Sequence, residues 1–281
     1  MIEFLSPDFL FRNAVLGGWI VCTLCAVLGT YVVLRRMVLL GVALPQAGAA
    51  GVAFVFFATG HGHGAGGGGH WLALAGSIGA TFAALALLVP GSRGARTPVE
   101  WRIGALFAVT SAVTLLTVAL NPTGDLEMTS LLRGELLAIA DRDLALLAVV
   151  AALVALLFVA FRREILLVSF DAEFARTLGR SPARWDALLY LLLGAAISVG
   201  VMTAGPMVVF AFLVLPALAA LGVTSHLAAT FLVAAAIASV CSIGGFALAY
   251  RADLPAGPVY VLLAAAVWLA VALFARVRAR R

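Results

Sequence analysis

Residues 35–57 read RRMVLLGVALPQAGAAGVAFVFF: two arginines, then 21 residues of which only Gln46 has a polar side chain. At 1.5 Å per helical residue such a run covers about 30 Å, the thickness of a bilayer's hydrocarbon core. It reads as a membrane-spanning helix entered through a cationic rim. Two residues sit oddly in it. Pro45 costs about 3 kcal/mol in a helix interior, and the Gln46 amide needs a hydrogen-bond partner once it leaves water. About ten residues beyond Arg36, Gln46 lies near mid-bilayer.

The same signature repeats along the chain. Its 281 residues are 64% hydrophobic and 11% charged, with a mean hydropathy of +1.14. Soluble domains carry about 25% charged residues, so the composition is that of a membrane protein. Segments long enough to span are roughly 14–34, 37–58, 71–90, 103–120, 143–161, 186–204, 207–222, 227–249 and 256–275. The seventh is short, so the expectation is an all-α polytopic membrane protein with about eight or nine transmembrane helices. No stretch alternates with the period of two that barrel strands need. No shift in composition marks a second folded domain, so residues 1–281 read as a single transmembrane domain.

All 18 basic residues are arginine, for a net charge of +5, and they cluster between the apolar segments. That distribution reports topology and lipid contact; nucleic acid is not expected as a partner. If the spans alternate, Arg35/Arg36, Arg93/Arg96/Arg102, Arg162/Arg163, Arg176/Arg180/Arg184 and the RVRARR tail share one side, the cytoplasmic one by the positive-inside rule. The N-terminus is then outside and the C-terminus cytoplasmic, in a bacterial plasma membrane. The first residues lack the basic lead of a cleaved signal peptide. Cys22, Cys25 and Cys241 lie within apolar segments and imply buried packing rather than a disulfide framework. No G-x-x-x-x-G-K-[ST] phosphate loop is present, so nucleotide hydrolysis is not expected of this chain.

Several stretches have chemistry beyond spanning. The connection 162–185, RREILLVSFDAEFARTLGRSPARW, is helix-compatible from Asp171 to Leu178, with Gly179 as a C-terminal stop. Ala175 is small there, and Glu173 and Arg176 are an ion-pair candidate. It is either a solvated connector or a plug for a partner's groove. In VMTAGPMVVFAFLVLPALAA, residues 201–220, Gly205-Pro206 breaks the helix, either to line a pathway or as a packing kink. His61, His63 and His70 cluster in the Gly-rich loop 61–70 and could bind a metal loosely, or simply sit in a tether. The acidic stretch 121–143, with Asp125, Glu127, Glu135, Asp141 and Asp143, suits a docking surface, a cation funnel or an ordinary solvated loop. His226, at the start of a span, reads as an interfacial side chain.

Six stretches in order resemble the integral-membrane permeases of ABC-type metal importers, the zinc/manganese/iron group. They are RRM…G…A…AG…GVAF, VEWRIGALFAVTSA, LLRGELLAIADRDL, FDAEFARTLG, AGPMVVFAFLVLPALAA and ADLPAGPVYVL, covering residues 15–270. The resemblance implies a homodimer working by alternating access, a cytoplasmic ABC ATPase binding ATP and Mg on a separate chain, and an extracytoplasmic solute-binding protein. It implies a transport subunit without enzymatic chemistry or a cofactor of its own. Asp171, Glu173, Ala175 and Gly179 would form a cytoplasmic coupling helix, within 171–184, at the ATPase interface. Arg133 departs from the aromatic usual there. An ATPase-independent secondary transporter or channel is the alternative, disfavoured by the E-x-A-x-x-x-G helix and by the lack of an intramembrane carboxylate.

The second helix of that group usually carries Gly-Asp-x-x-x-His-Ala, with Asp and His as intramembrane metal ligands. Here Gly41 and Ala47 match, but Val42 stands for the Asp and Gln46 for the His. Two readings remain. Val42, Pro45 and Gln46 line a pathway for a metal chelate or neutral solute, together with Gly205 and Pro206. Alternatively Gln46 satisfies the Gly41 carbonyl freed by Pro45, or bonds a neighbouring helix.

Overall fold

Hydrocarbon offers backbone N–H and C=O groups no water, so a spanning segment satisfies them internally as a helix. The computed structural model describes residues 11–59, 68–88, 99–120 and 141–279, and among these no strand occurs. The helices are α1 (Arg12–Leu34), α2 (Val38–Thr59), α3 (Gly68–Leu88), α4 (Val99–Ala119), α5 (Asp141–Phe170), α6 (Ala172–Thr177), α7 (Pro182–Ala204), α8 (Pro206–Val223), α9 (Leu227–Ala252) and α10 (Ala256–Ala279). Nine of them, all except α6, are long and apolar enough to cross a membrane. The chain is therefore a multi-pass helical membrane protein, as composition requires.

One boundary differs from the sequence reading in a way that matters. The fifth span was expected to end at 161, yet α5 continues unbroken through Arg162 and Arg163 to Phe170. Residues 164–170 (EILLVSF) contain no glycine or proline to stop it. Its 30 residues make about 45 Å of helix, more than the core of a bilayer. The last turns therefore project beyond the apolar layer and carry α6 with them.

Helices α1, α2, α7 and α8 form the centre. Helix α1 packs on α8, α9 and α5, while α2 packs on α3, α4, α7 and α8. Contacts at the helix ends define their directions. Asn13 Nδ2 donates to Asp141 Oδ1 at 2.7 Å, and the Phe11 and Tyr250 rings lie 5.9 Å apart, which joins the start of α1 to the start of α5 and the end of α9. At the opposite end Arg35 meets Asp186, and Arg102 donates to the Leu87 and Leu88 carbonyls. Successive spans thus alternate, and Arg35, Arg102 and Arg162/Arg163 gather at one end of the bundle.

In lipid the hydrophobic effect does not distinguish a neighbouring helix from an acyl chain, so close packing by small residues drives association. Two contacts show this. A Cβ on Gly29 would collide with the Leu213 carbonyl, so only glycine lets α1 lie directly on the α8 backbone. Gly51 and Gly76 do the same between α2 and α3, each facing the other's carbonyl oxygen. The Tyr31 ring, 5.1 Å from both Phe158 and Phe231, joins α1, α5 and α9. Cys22, Cys25 and Cys241 are buried free thiols, as expected.

Gly51→Leu should force α2 and α3 apart and destabilise the protein by about 1–3 kcal/mol. Thermal unfolding in detergent checks this against Gly79→Leu on helix α3, where a Cβ meets nothing within 4 Å and no loss is expected.

Candidate functional site: a projecting helix and a polar seam

The projecting segment is built locally. Asp171 caps α6, its side chain accepting the Phe174 N–H at 2.8 Å. At the other end the Gly179 N–H bonds Arg176 O at 2.9 Å and the Arg180 N–H bonds Ala175 O at 2.9 Å. This is the Schellman arrangement, which needs a left-handed residue after the helix; Gly179 supplies it with φ +72. A six-residue helix is otherwise too short to persist, so both caps matter.

Of the four expected coupling residues, Ala175 is fully buried while Asp171, Glu173 and Gly179 are exposed. The Glu173–Arg176 ion pair does not form: among the described residues Arg180 reaches Glu164 at 3.9 Å instead, and neither Glu173 nor Arg176 is paired. The sequence reading overlooked the apolar residues. Phe170 at the end of α5, Phe174 within α6 and Leu178 at the C-cap of α6 are 62%, 51% and 56% exposed, a set of apolar side chains spanning the α5–α6 joint. Clustered exposed apolar groups, rimmed by Glu173, Arg176 and Arg180, suit a contact with another protein or with the membrane surface. The spacing was visible in FDAEFARTL, where attention went to the charges.

Arg35 ties the helices that flank this segment to the bundle. Arg35, at the end of α1, donates through Nη1 to Asp186 Oδ1 on α7 at 2.7 Å and through Nε to Ser169 Oγ on α5 at 2.8 Å. It links the helices on either side of α6 to the central α1.

The second feature lies at the opening puzzle. Helix α2 runs straight through Pro45, which is buried. Between Leu40 and Ala53 every residue is buried except Val42 and Gln46, which are half-buried and four apart on one face. That face looks toward α4. Gln46 Nε2 donates to Thr114 Oγ1 at 3.4 Å, while Thr114 Oγ1 donates to Thr110 O at 2.8 Å. Of the partners considered for the amide, the neighbouring helix is the one it takes. The bond is long, and among the described residues the amide makes no other.

Thr110, Thr114 and Thr117 recur at i, i+4, i+7 on the inner side of α4, and each hydroxyl also bonds a carbonyl of its own helix. The sequence reading missed them; the threonine spacing in VTSAVTLLT was the available signal. The seam is neutral, offering amide and hydroxyl groups but no carboxylate or imidazole. Among the described residues no three His, Cys, Asp or Glu side chains gather to hold a metal ion.

Gly205 is buried with φ +82 and ψ 159, a region open only to glycine. The expected break at Gly205-Pro206 is real: α7 ends at Ala204 and α8 begins at Pro206. It separates two helices. His61 and His63 lie outside the described residues, as do the His70 side chain and most of the acidic stretch. Of that stretch Asp141 holds Asn13, and Arg142 stacks over Trp71 at 5.2 Å. His226 precedes α9 and is exposed.

Asp186→Asn should leave Arg35 short of its ionic partner and cost about 1–3 kcal/mol. Thermal unfolding reads that loss, and cysteine cross-linking of α6 to α7 should show the segment loosened.

The ABC 3 transport family profile matches residues 7–275. The chelated iron transport system membrane protein YfeC of Yersinia pestis is 30% identical over 282 residues, covering 98% of this chain and 90% of that one. A probable iron transport system membrane protein of Haemophilus influenzae is 29% identical over 278 residues, covering 98% and 93%. The fold matches a chain in the solved structure of PsaBC from Streptococcus pneumoniae in complex with Fab, with a TM-score of 0.81, 23% identity and coverage of 96% and 93%. With the family match spanning nearly the whole sequence, the nine-span bundle and its projecting helix belong to a member of the ABC 3 transport family, the membrane permease of a metal-type ABC importer.

Proposed function

We propose that this chain is the membrane subunit of an ATP-driven importer that moves a transition metal as a complex, working as a homodimer by alternating access. The observation that carries the ATP-driven part is the exposed apolar set Phe170, Phe174 and Leu178, on and immediately beside the doubly capped helix α6. A cytoplasmic ABC ATPase, holding ATP and Mg on its own chain, buries this set. Asp171 and Gly179 keep α6 folded, Glu173 rims the contact, and Ala175 lets α6 sit tightly against the bundle. When the ATPase pair closes, α6 pulls on α5 and α7, and Arg35 passes the displacement to α1. An extracytoplasmic solute-binding protein delivers the cargo at the opposite end, where the chain's N-terminus lies, in the plasma membrane of a bacterium.

The α2/α4 seam supports the choice of cargo. A bare divalent ion crossing hydrocarbon needs charged or imidazole ligands to replace its water. Val42 and Gln46 offer neither, whereas the amide and the threonine hydroxyls can hydrogen-bond the polar exterior of a chelate. The printed name of the Yersinia relative, a chelated iron transport protein, agrees with that reading.

Two measurements test it. Phe174→Asp with Leu178→Asp should weaken capture of the ATPase by about 2 kcal/mol or more, roughly 30-fold, and abolish ATP-dependent uptake. Thermal stability should move little, because both side chains are exposed; retained coupling would overturn the assignment. Uptake of chelated and free metal should favour the chelate in the natural chain, and Val42→Asp with Gln46→His should shift the preference toward the free ion.

A further inference from the structure

We infer that the protein holds an anionic phospholipid in an intramembrane groove between α1, α5 and α9. The groove encloses about 910 Å³ and is lined almost wholly by apolar side chains. On the α5 wall the residues are small, Ala148, Ala152 and Ala155 among them, so the helices leave a channel rather than closing on one another. Along α1 it runs from Trp19 to Tyr31, twelve residues or about 18 Å. That exceeds one leaflet's share of a hydrocarbon core about 30 Å thick, and it is long enough for an acyl chain.

One end of the groove is chemically distinct. Arg162 and Arg163 line it, both exposed, and neither makes an ion pair among the described residues. From Asp143 to Arg162 α5 rises about 28 Å, so the two guanidinium groups sit at headgroup depth. Guanidinium groups match phosphate oxygens in geometry and charge. Tyr31 also lines this end, fully buried, and its hydroxyl has no hydrogen-bond partner in the protein. A buried hydroxyl without a partner is costly, and the glycerol ester region of a lipid offers acceptors at that depth.

A second copy of the chain fits less well. A two-fold contact across this face would set the same patch against itself, bringing four arginines to one depth while the neighbouring acid, Glu164, already turns to Arg180. A phospholipid with an anionic headgroup neutralises the pair instead, and its acyl chain fills the alanine-walled channel.

The test uses the full-length chain in mild detergent, with phosphatidylglycerol or phosphatidylcholine added and retained lipid counted by native mass spectrometry. The expected result is selective retention of phosphatidylglycerol. Arg162→Gln with Arg163→Gln should lower it about 30-fold, the weight of two cationic side chains near a lipid surface. Ala155→Trp should abolish retention with both arginines intact, and Ala235→Trp on α9 provides a second block should the first variant fail to fold. Equal retention of the two lipids, or retention unaffected by either tryptophan, would overturn the proposal in favour of lipid adsorbed at the rim. So would efficient cross-linking between copies through Ala152→Cys in a bilayer, which would put a second chain in the groove. None of these outcomes depends on the cargo or the ATPase.

Discussion

The direct backbone contacts at Gly29 and Gly51 are the constraint on which the rest of the bundle depends. Within hydrocarbon, burying more apolar surface against another helix gains little over burying it in lipid, so the helices are held by shape. Where α1 lies on the Leu213 carbonyl and α2 on Gly76, two close crossings bring α1 onto α8 and α2 onto α3. Helices α4, α5 and α10 then occupy the periphery and present leucine, valine and phenylalanine to lipid.

Polar atoms are scarce inside such a frame, and their positions carry the function. Many serine and threonine hydroxyls are bound by their own helix, as at Thr30 and Thr203, whereas Ser239 on α9 also accepts from Trp19 Nε1 on α1 at 3.0 Å. The exceptions reach between helices. Ser77 bonds the Ser198 carbonyl, which joins α3 to α7. Gln46 reaches Thr114 across the seam, and Arg35 ties three helices at the projecting end. Between them these side chains make a neutral seam between α2 and α4 and a polar link at the end where α6 projects.

Much of this was legible beforehand. Eight or nine spans, their alternation, the break at Gly205-Pro206, the burial of the cysteines and the stop at Gly179 each follow from local chemistry: apolar length, a fixed proline φ, a glycine that alone tolerates left-handed backbone. Other features were not. The extension of α5 to Phe170 was hidden because arginines usually mark the end of a span, although nothing in EILLVSF ends a helix. The exposed apolar set Phe170, Phe174 and Leu178 was masked by charges on the same short stretch. The Glu173–Arg176 pair satisfied the spacing rule but not the geometry, since Arg180 turns back to Glu164.

By itself, then, the sequence determined that eight or nine apolar segments cross, roughly where each begins, and that residues 42 and 46 are Val and Gln. These are properties of single segments in a known solvent, so one segment at a time suffices to read them. Only the tertiary structure decided that Gln46 turns to Thr114, that Arg35 joins Ser169 and Asp186, and that α1, α5 and α9 leave a channel. Each of those depends on which helix faces which, and in a bilayer apolar faces are nearly interchangeable; the choice is made by steric fit between backbones distant in the chain.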